Sequence, residues 1–156
     1  SFLAQALANF LRMPSTRGPG CLEWLLELAD SIITYRSRYS RLPELLPVLY
    51  LLVFDDSNPH GVVFQGSVLS RYLERMAREL GEPSDGKLGA ALRSLRAFDL
   101  ECLQQLEFSQ CCNCLPCADL ATLLEDLNAA AGELSDWLAM RYFTHVSDVS
   151  RQTMAL

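Results

Sequence analysis

Residues 45–54, LLPVLYLLVF, contain no charged side chain, and whatever this chain folds into must hide them. A run this continuous fits a buried strand or a buried helix, because periodicity alone cannot separate the two. No other segment offers a strand partner, and a lone strand is not stable, so a buried helix is predicted. Pro43 and Pro47 bracket its start and the DDSNP sequence at 55–59 stops it. The run is broken by Pro47 and falls far short of the ~20 residues of a spanning helix, so it is expected to be core rather than membrane span.

The rest of the chain divides into helical pieces by its turn chemistry. SFLAQALANFLRM at the start has no basic lead and mixes polar with apolar residues, as an amphipathic helix does and a signal peptide does not. Residues 14–20, rich in Pro and Gly, form a linker. From Cys21, Leu22, Leu25, Leu26, Ala29, Ile32 and Ile33 recur at three- and four-residue steps, predicting one helix to about Ser40. After the turn, Asn58 or Ser57 is placed to cap and Pro59 to take the first position of a helix through VVFQGSVLSRYLERMAREL. Residues 81–86 are a loop. A further helix over 87–105 carries Leu88, Ala91, Leu92, Leu95, Cys102 and Leu106 on one side, and Leu120, Leu123, Leu124, Leu127, Ala131, Leu134 and Leu138 mark the last, with fraying expected from about Ser147. The expected fold is all-α, an up-down helical bundle of about five to six helices spanning 1–156.

Charge narrows the partners. Thirteen Lys and Arg against nineteen Asp and Glu give a net charge of -6, ill suited to a nucleic-acid backbone or an anionic membrane. The cytoplasm is the expected location. Of six cysteines, four lie in CCNCLPC at 111–117, a density that suggests a metal site, since thiolates are soft ligands. No second Cys or His pair follows at zinc-site spacing, so a cysteine-rich interhelical loop is expected and no metal ligand is assigned. No Gly-rich phosphate loop is present, as Gly61 and Gly66 fit neither dinucleotide nor P-loop spacing, and no cofactor is implied. Neither His60 nor His145 stands beside a nucleophile at readable spacing, so no catalytic residue is assigned.

The wheel positions raise a sharper question. At about 100° per residue, Arg36 follows Ala29, Ile32 and Ile33 in an apolar stripe, and Gln65 shares the arc of Val62, Leu69, Tyr72, Leu73 and Met76. Asp99 lies between Leu95 and Cys102, while Arg141 and His145 continue the line of Leu134 and Leu138. Inward guanidinium groups need carboxylates or a bound anion. One reading pairs the arginines with Asp55, Asp56 or Asp99 and assigns them to helix register; another lets Arg36, Arg141 and His145 reach water from helix ends. The third is a cleft in which Arg36, Gln65 and Arg141 grip a carboxylate or phosphate, with Tyr35 and Tyr39 at its mouth and the turn holding Asp55 and Asn58 ordering it.

Three stretches, LLELADSIITYRSRY at 25–39, LPVLYLLVFDDSNPH at 46–60 with Phe64-Gln65 following, and LSDWLAMRYF at 134–143, resemble the alpha-E domain family of bacterial helical proteins. The order ADS, TYR-x-RY, D-x-NP, FQ carries the resemblance over about 24–143. It implies that the chain is the C-terminal half of a larger helical domain, with RYLER at 71–75 echoing a Glu-Arg motif of the other half. Family members usually have Arg-Ser after NP, where this chain has His60-Gly61. The resemblance further implies association with circularly permuted ATP-grasp proteins, so the expected partners are an ATP-grasp-type ligase, the missing N-terminal half, or a second copy. The implied role is an accessory binding module; the alternatives are a stand-alone enzyme acting on a peptide or amino acid, or a purely structural interaction domain.

Overall fold

The computed structural model describes residues 2–13, 20–81, 86–106 and 115–154 and, within these, the side chains of all but residues 80, 105, 106, 115 and 142–154. The elements are α1 (Phe2–Arg12), α2 (Cys21–Leu28), α3 (Ile32–Tyr39), α4 (Leu45–Leu49) continuing into a π-helical turn (Tyr50–Phe54), α5 (Val62–Leu80), α6 (Lys87–Arg96), a 3-10 helix (Leu100–Leu106) and α7 (Leu115–Met154). No strand occurs among the described residues, and the fold is an all-helical bundle. The apolar run is helical as expected, with Val48, Leu49, Leu51, Leu52 and Val53 fully buried.

Two helices far apart in sequence frame the bundle. α1 lies along α7, burying Leu3, Ala4, Leu7, Ala8 and Leu11 at helical spacing. Arg12 clamps Glu125 through both oxygens, Nε to Oε1 at 2.8 Å and Nη2 to Oε2 at 2.6 Å. Asn128 donates to Gln5 Oε1 at 3.2 Å one layer along. α6 packs on the same helix, with Lys87 and Glu133 paired at 2.7 Å. Among the described residues no helix is long and apolar enough to cross a membrane.

The helix expected over 21–40 is two helices. Asp30 sits in the left-handed region at φ 49°, Ser31 N–H reaches back to Leu26 O at 2.8 Å, and Asp30 N–H to Glu27 O at 3.0 Å. This paired arrangement closes a helix and is usually built on Gly; Asp tolerates the conformation. The chain restarts at once, with Tyr35 N–H bonded to Ser31 O at 2.8 Å. The break shifts the phase of the wheel. Tyr35 turns fully inward, while Ile33 is 79% exposed and Arg36 is exposed with it.

Other boundaries also moved. α5 starts at Val62 behind Gly61, so neither Asn58 nor Ser57 caps it and Pro59 lies outside it. Its inward side runs through Val63, Gly66 and Leu73, which leaves Gln65 and Tyr72 exposed. α6 ends at Arg96, and Asp99 is exposed in the turn beyond, its Oδ1 accepting Glu101 N–H at 2.9 Å to begin the 3-10 helix. Leu103 rather than Cys102 is buried there. α7 continues past Ser147 to Met154. The expected 14–20 linker lies outside the described residues save Gly20, as does most of the 81–86 loop.

Gly61 is tightly enclosed: a Cβ would stand 3.2 Å from Asn58 O and 3.3 Å from both Asp55 O and Leu51 O, backbone atoms that would have to give by a few tenths of an ångström. At Gly66 the obstruction is the tip of Leu92, at 2.6 Å, which can rotate. Gly61→Ala is therefore expected to cost about 1–3 kcal/mol in chemical denaturation. Gly66→Ala should stay within about 1 kcal/mol of the parent, because the gain in helix propensity offsets the shift of Leu92.

Candidate functional site

The polar cluster of this fold forms around the 55–60 turn, where the π-helical turn ends. Asp55 N–H bonds to Tyr50 O at 2.9 Å, five residues back instead of four. Leu51 O is left without that helical donor in the core. Asn58, fully buried, supplies one: its Nδ2 donates to Leu51 O at 2.9 Å and to Ser31 Oγ at 3.2 Å, and its Oδ1 accepts His60 N–H at 3.3 Å. Ser31, also fully buried, donates its own hydroxyl hydrogen bond to Ala29 O at 3.0 Å. One amide thus joins the α2–α3 break, the end of the apolar helix and the approach to α5.

Asp55 closes the outer side of the same turn. Its Oδ1 accepts Ser57 N–H at 2.8 Å and Ser57 Oγ at 2.6 Å, and its Oδ2 is paired with Arg38 Nη1. Arg38 Nη2 also donates to Ser57 Oγ at 3.0 Å. Burial pushes the Asp55 carboxyl up, but the Ser57 hydroxyl, the Ser57 N–H and the Arg38 guanidinium together outweigh it and hold the group below its ordinary value. Tyr35 anchors the following loop, its hydroxyl donating to Leu42 O at 3.3 Å and accepting Glu44 N–H at 3.1 Å. Tyr39 packs on it at a tilt of 34° with centroids 4.8 Å apart, and burial raises its phenol despite the opposing influence of Arg38.

The side chains expected in an interior cleft do not all arrive there. Asp55 and Asn58 are buried and central, but Asn58 faces inward as a latch. Tyr35 is core, not a mouth residue, and Tyr39 is half-buried beside it. Arg36 and Gln65 face solvent and make no side-chain hydrogen bond or ion pair among the described residues. Asp99 is exposed. Arg141 is half-buried on α7 with its guanidinium 5.5 Å from the Trp137 ring centroid, a cation–π contact within its own helix. The His145 side chain lies outside the described residues. The arginine that meets Asp55 is thus Arg38, two residues beyond the one the wheel selected.

Ser31, Arg38 and Ser57 complete the cluster and were not singled out as site residues from the sequence. Their signal lay in the quoted stretches themselves, since Ser31 belongs to ADS, Arg38 to TYR-x-RY and Ser57 to the turn. On the surface next to the latch, His60 Nε2 stands 3.9 Å from Asp30 Oδ2. The single Glu-Arg dipeptide, Glu74-Arg75, is on the exposed side of α5, with Arg75 Nε donating to Glu79 at 2.9 Å. Among the described residues no group of three or more His, Cys, Asp or Glu is placed to hold a metal. Cys117 is buried in the core, and Cys111, Cys112 and Cys114 lie outside the described residues.

Removing the latch should be costly, because it strands a buried carbonyl. Asn58→Ala is expected to lose about 2–3 kcal/mol, read as a fall in Tm of roughly 4–12 °C. The acid limb follows from Asp55. Its folded pKa lies below the ordinary 3.8, so the stabilisation it gives is complete above that value and is lost as pH falls through the folded pKa. Asp55→Asn should be less stable than the parent at pH 7, with the difference shrinking below about pH 4, in pH-dependent urea denaturation.

No curated protein and no solved structure matches the chain. A family model described as a predicted alpha-helical domain with a conserved ER motif matches residues 1–143. That match takes in the latch, the turn and most of the bundle, and the chain belongs to the Alpha-E family.

Proposed function

We propose that this chain is an accessory binding module of a bacterial ATP-grasp amide-ligase or peptide-modification system, and that it binds through its surface rather than through an interior cleft. One observation carries the reading. Within TYR-x-RY and FQ, Tyr35 and Arg38 are engaged in holding the fold, whereas Arg36 and Gln65 are exposed and make no side-chain hydrogen bond or ion pair among the described residues. Stability does not require them, so they are available to a partner.

Their chemistry suits that setting. ATP-grasp ligases form amide bonds through acyl phosphates, so carboxylates and phosphates occur on their substrates and intermediates. A guanidinium contacts either group through two parallel hydrogen bonds, and a glutamine amide both donates and accepts. Arg36 and Gln65 would hold the ligase or present its carboxylate substrate. The alternative of an independent enzyme has one supporting observation, the exposed His60 beside Asp30, an arrangement that can move a proton.

Co-purification with a circularly permuted ATP-grasp ligase tests the reading. Arg36→Ala and Gln65→Ala should each weaken the complex by about fivefold to thirtyfold, while moving Tm by no more than about 2 °C, since exposed substitutions rarely exceed ~0.5 kcal/mol. An undiminished complex in both variants would overturn it. Amide-forming or hydrolytic turnover by the purified chain alone, abolished by His60→Ala, would favour the enzyme.

A further inference from the structure

Positive charge is not spread evenly over this bundle. Arg12, Arg38, Arg41, Arg75 and Lys87 each pair with a carboxylate. Arg71, Arg78, Arg93 and Arg96 form no ion pair among the described residues, and all four are exposed on α5 and α6. Arg93 and Arg96 stand three residues apart, and Arg71, Arg75 and Arg78 four and three, spacings at which like charges destabilise a helix. Glu74, between Arg71 and Arg78, is ion-paired with neither; Arg78 Nε donates instead to its backbone oxygen at 3.2 Å. Although acids outnumber bases nineteen to thirteen in this chain, these cationic heads thus collect on two adjacent helices without a counter-charge bound to them.

The packing of the two helices brings the groups to one seam. Leu92 of α6 lies against Gly66 of α5, and Arg96 Nη2 donates to Ser67 Oγ at 2.7 Å. Ser67 Oγ gives its own hydrogen to Val63 O at 2.6 Å, so it meets Arg96 as an acceptor and holds that guanidinium over α5. Arg93 turns back along α6, with Nη1 3.5 Å from the place a Cβ would take on Gly89. At about 100° per residue, Arg71, Glu74 and Arg78 follow Ser67 along one side of α5. Gln65 falls nearly opposite them, so the seam is a different surface from the one proposed around Arg36 and Gln65.

We infer that the α5–α6 seam docks an acidic peptide segment of another protein, its successive carboxylates meeting Arg71, Arg93 and Arg96. The extent of the patch selects the partner. Arg71 and Arg78 are two helical turns apart, about 10 Å at 1.5 Å per residue, wider than a single carboxylate or phosphate can bridge. The partner therefore presents several anionic groups in succession. A nucleic-acid backbone does so too, but its dense charge is repelled by a chain of net charge -6, whereas a short acidic segment carries few charges and meets the arginines locally. A guanidinium accepts each carboxylate through two parallel hydrogen bonds. Glu74 opposes this binding from within the patch, and the inference does not depend on the ATP-grasp reading.

The experiment is a titration of the full chain, followed by backbone NMR shifts at low salt, with acetyl-Glu-Glu-Ser-Glu-Glu-amide, its glutamine analogue and inorganic phosphate. The glutamate peptide should bind saturably, shift residues of α5 and α6, and bind about fivefold more tightly than the glutamine peptide. Arg71→Gln and Arg93→Gln should each weaken it about twofold to fivefold, and Glu74→Gln should tighten it about twofold, with Tm moving by no more than about 2 °C. Arg36→Ala should leave this affinity unchanged, which keeps the result separate from the reading proposed above. Equal binding of the two peptides would overturn the inference, as would absence of saturable binding at millimolar concentration. Displacement of the peptide by an equal concentration of phosphate would also sink it, because one small anion would then suffice. So would a dimer of the chain that Arg93→Gln dissolves, because a second copy would then occupy the seam.

Discussion

A carbonyl freed inside a hydrocarbon core must find a donor, and in this bundle the donor is the Asn58 amide. The π-helical turn widens the end of the apolar helix so that Asp55 N–H pairs with Tyr50 O, and Leu51 O is satisfied by Asn58 instead. An unsatisfied buried carbonyl costs about 1–3 kcal/mol, enough to matter against the 5–15 kcal/mol of a typical domain. Because the same amide also holds Ser31, the widened turn and the α2–α3 break support each other. The three carbonyls gathered around Gly61 favour a residue without a side chain there, since a methyl group would press on all of them.

The latch also sorts neighbouring residues into two roles. Side chains alternating along α3 go to opposite fates: Tyr35 and Arg38 are tied to the 42–44 loop and to Asp55, and Arg36 is turned to water. A compact polar turn of this kind gives a surface of fixed shape, which lowers the ordering cost that any partner would meet. The α3 segment and the turn therefore combine, within a few residues, groups that build the surface and groups left over on it.

Much of the fold was legible because it rests on periodicity and bulk hydrophobicity. The run at 45–54, the stripe of α1 and the stripe through Leu120, Leu124 and Leu127 all point where the sequence says they should. The candidate site was legible only in part. Asp55 and Asn58 were found because the turn is chemically conspicuous, but the phase of α3 was not, because its restart depends on Asp30 adopting a left-handed conformation that neither Gly nor Pro announces. A one-residue interruption of that kind rotates every later position on the wheel, so Arg36 was aimed inward on paper and faces solvent in the fold. Asp99 failed for the same reason: α6 ends before it, and a helical wheel has no meaning beyond its helix.

The seam between α1 and α7 joins residues more than a hundred positions apart, as Arg12 and Glu125 show at a separation of 113. Such contacts form late, because closing a long loop loses chain entropy before any packing is gained. During synthesis, the oily side of α1 must therefore wait, uncovered, until the ribosome has delivered α7. Cellular holdases that recognise exposed apolar helices would meet this segment during that interval, and the yield of folded protein would depend on how quickly translation proceeds from α1 to α7.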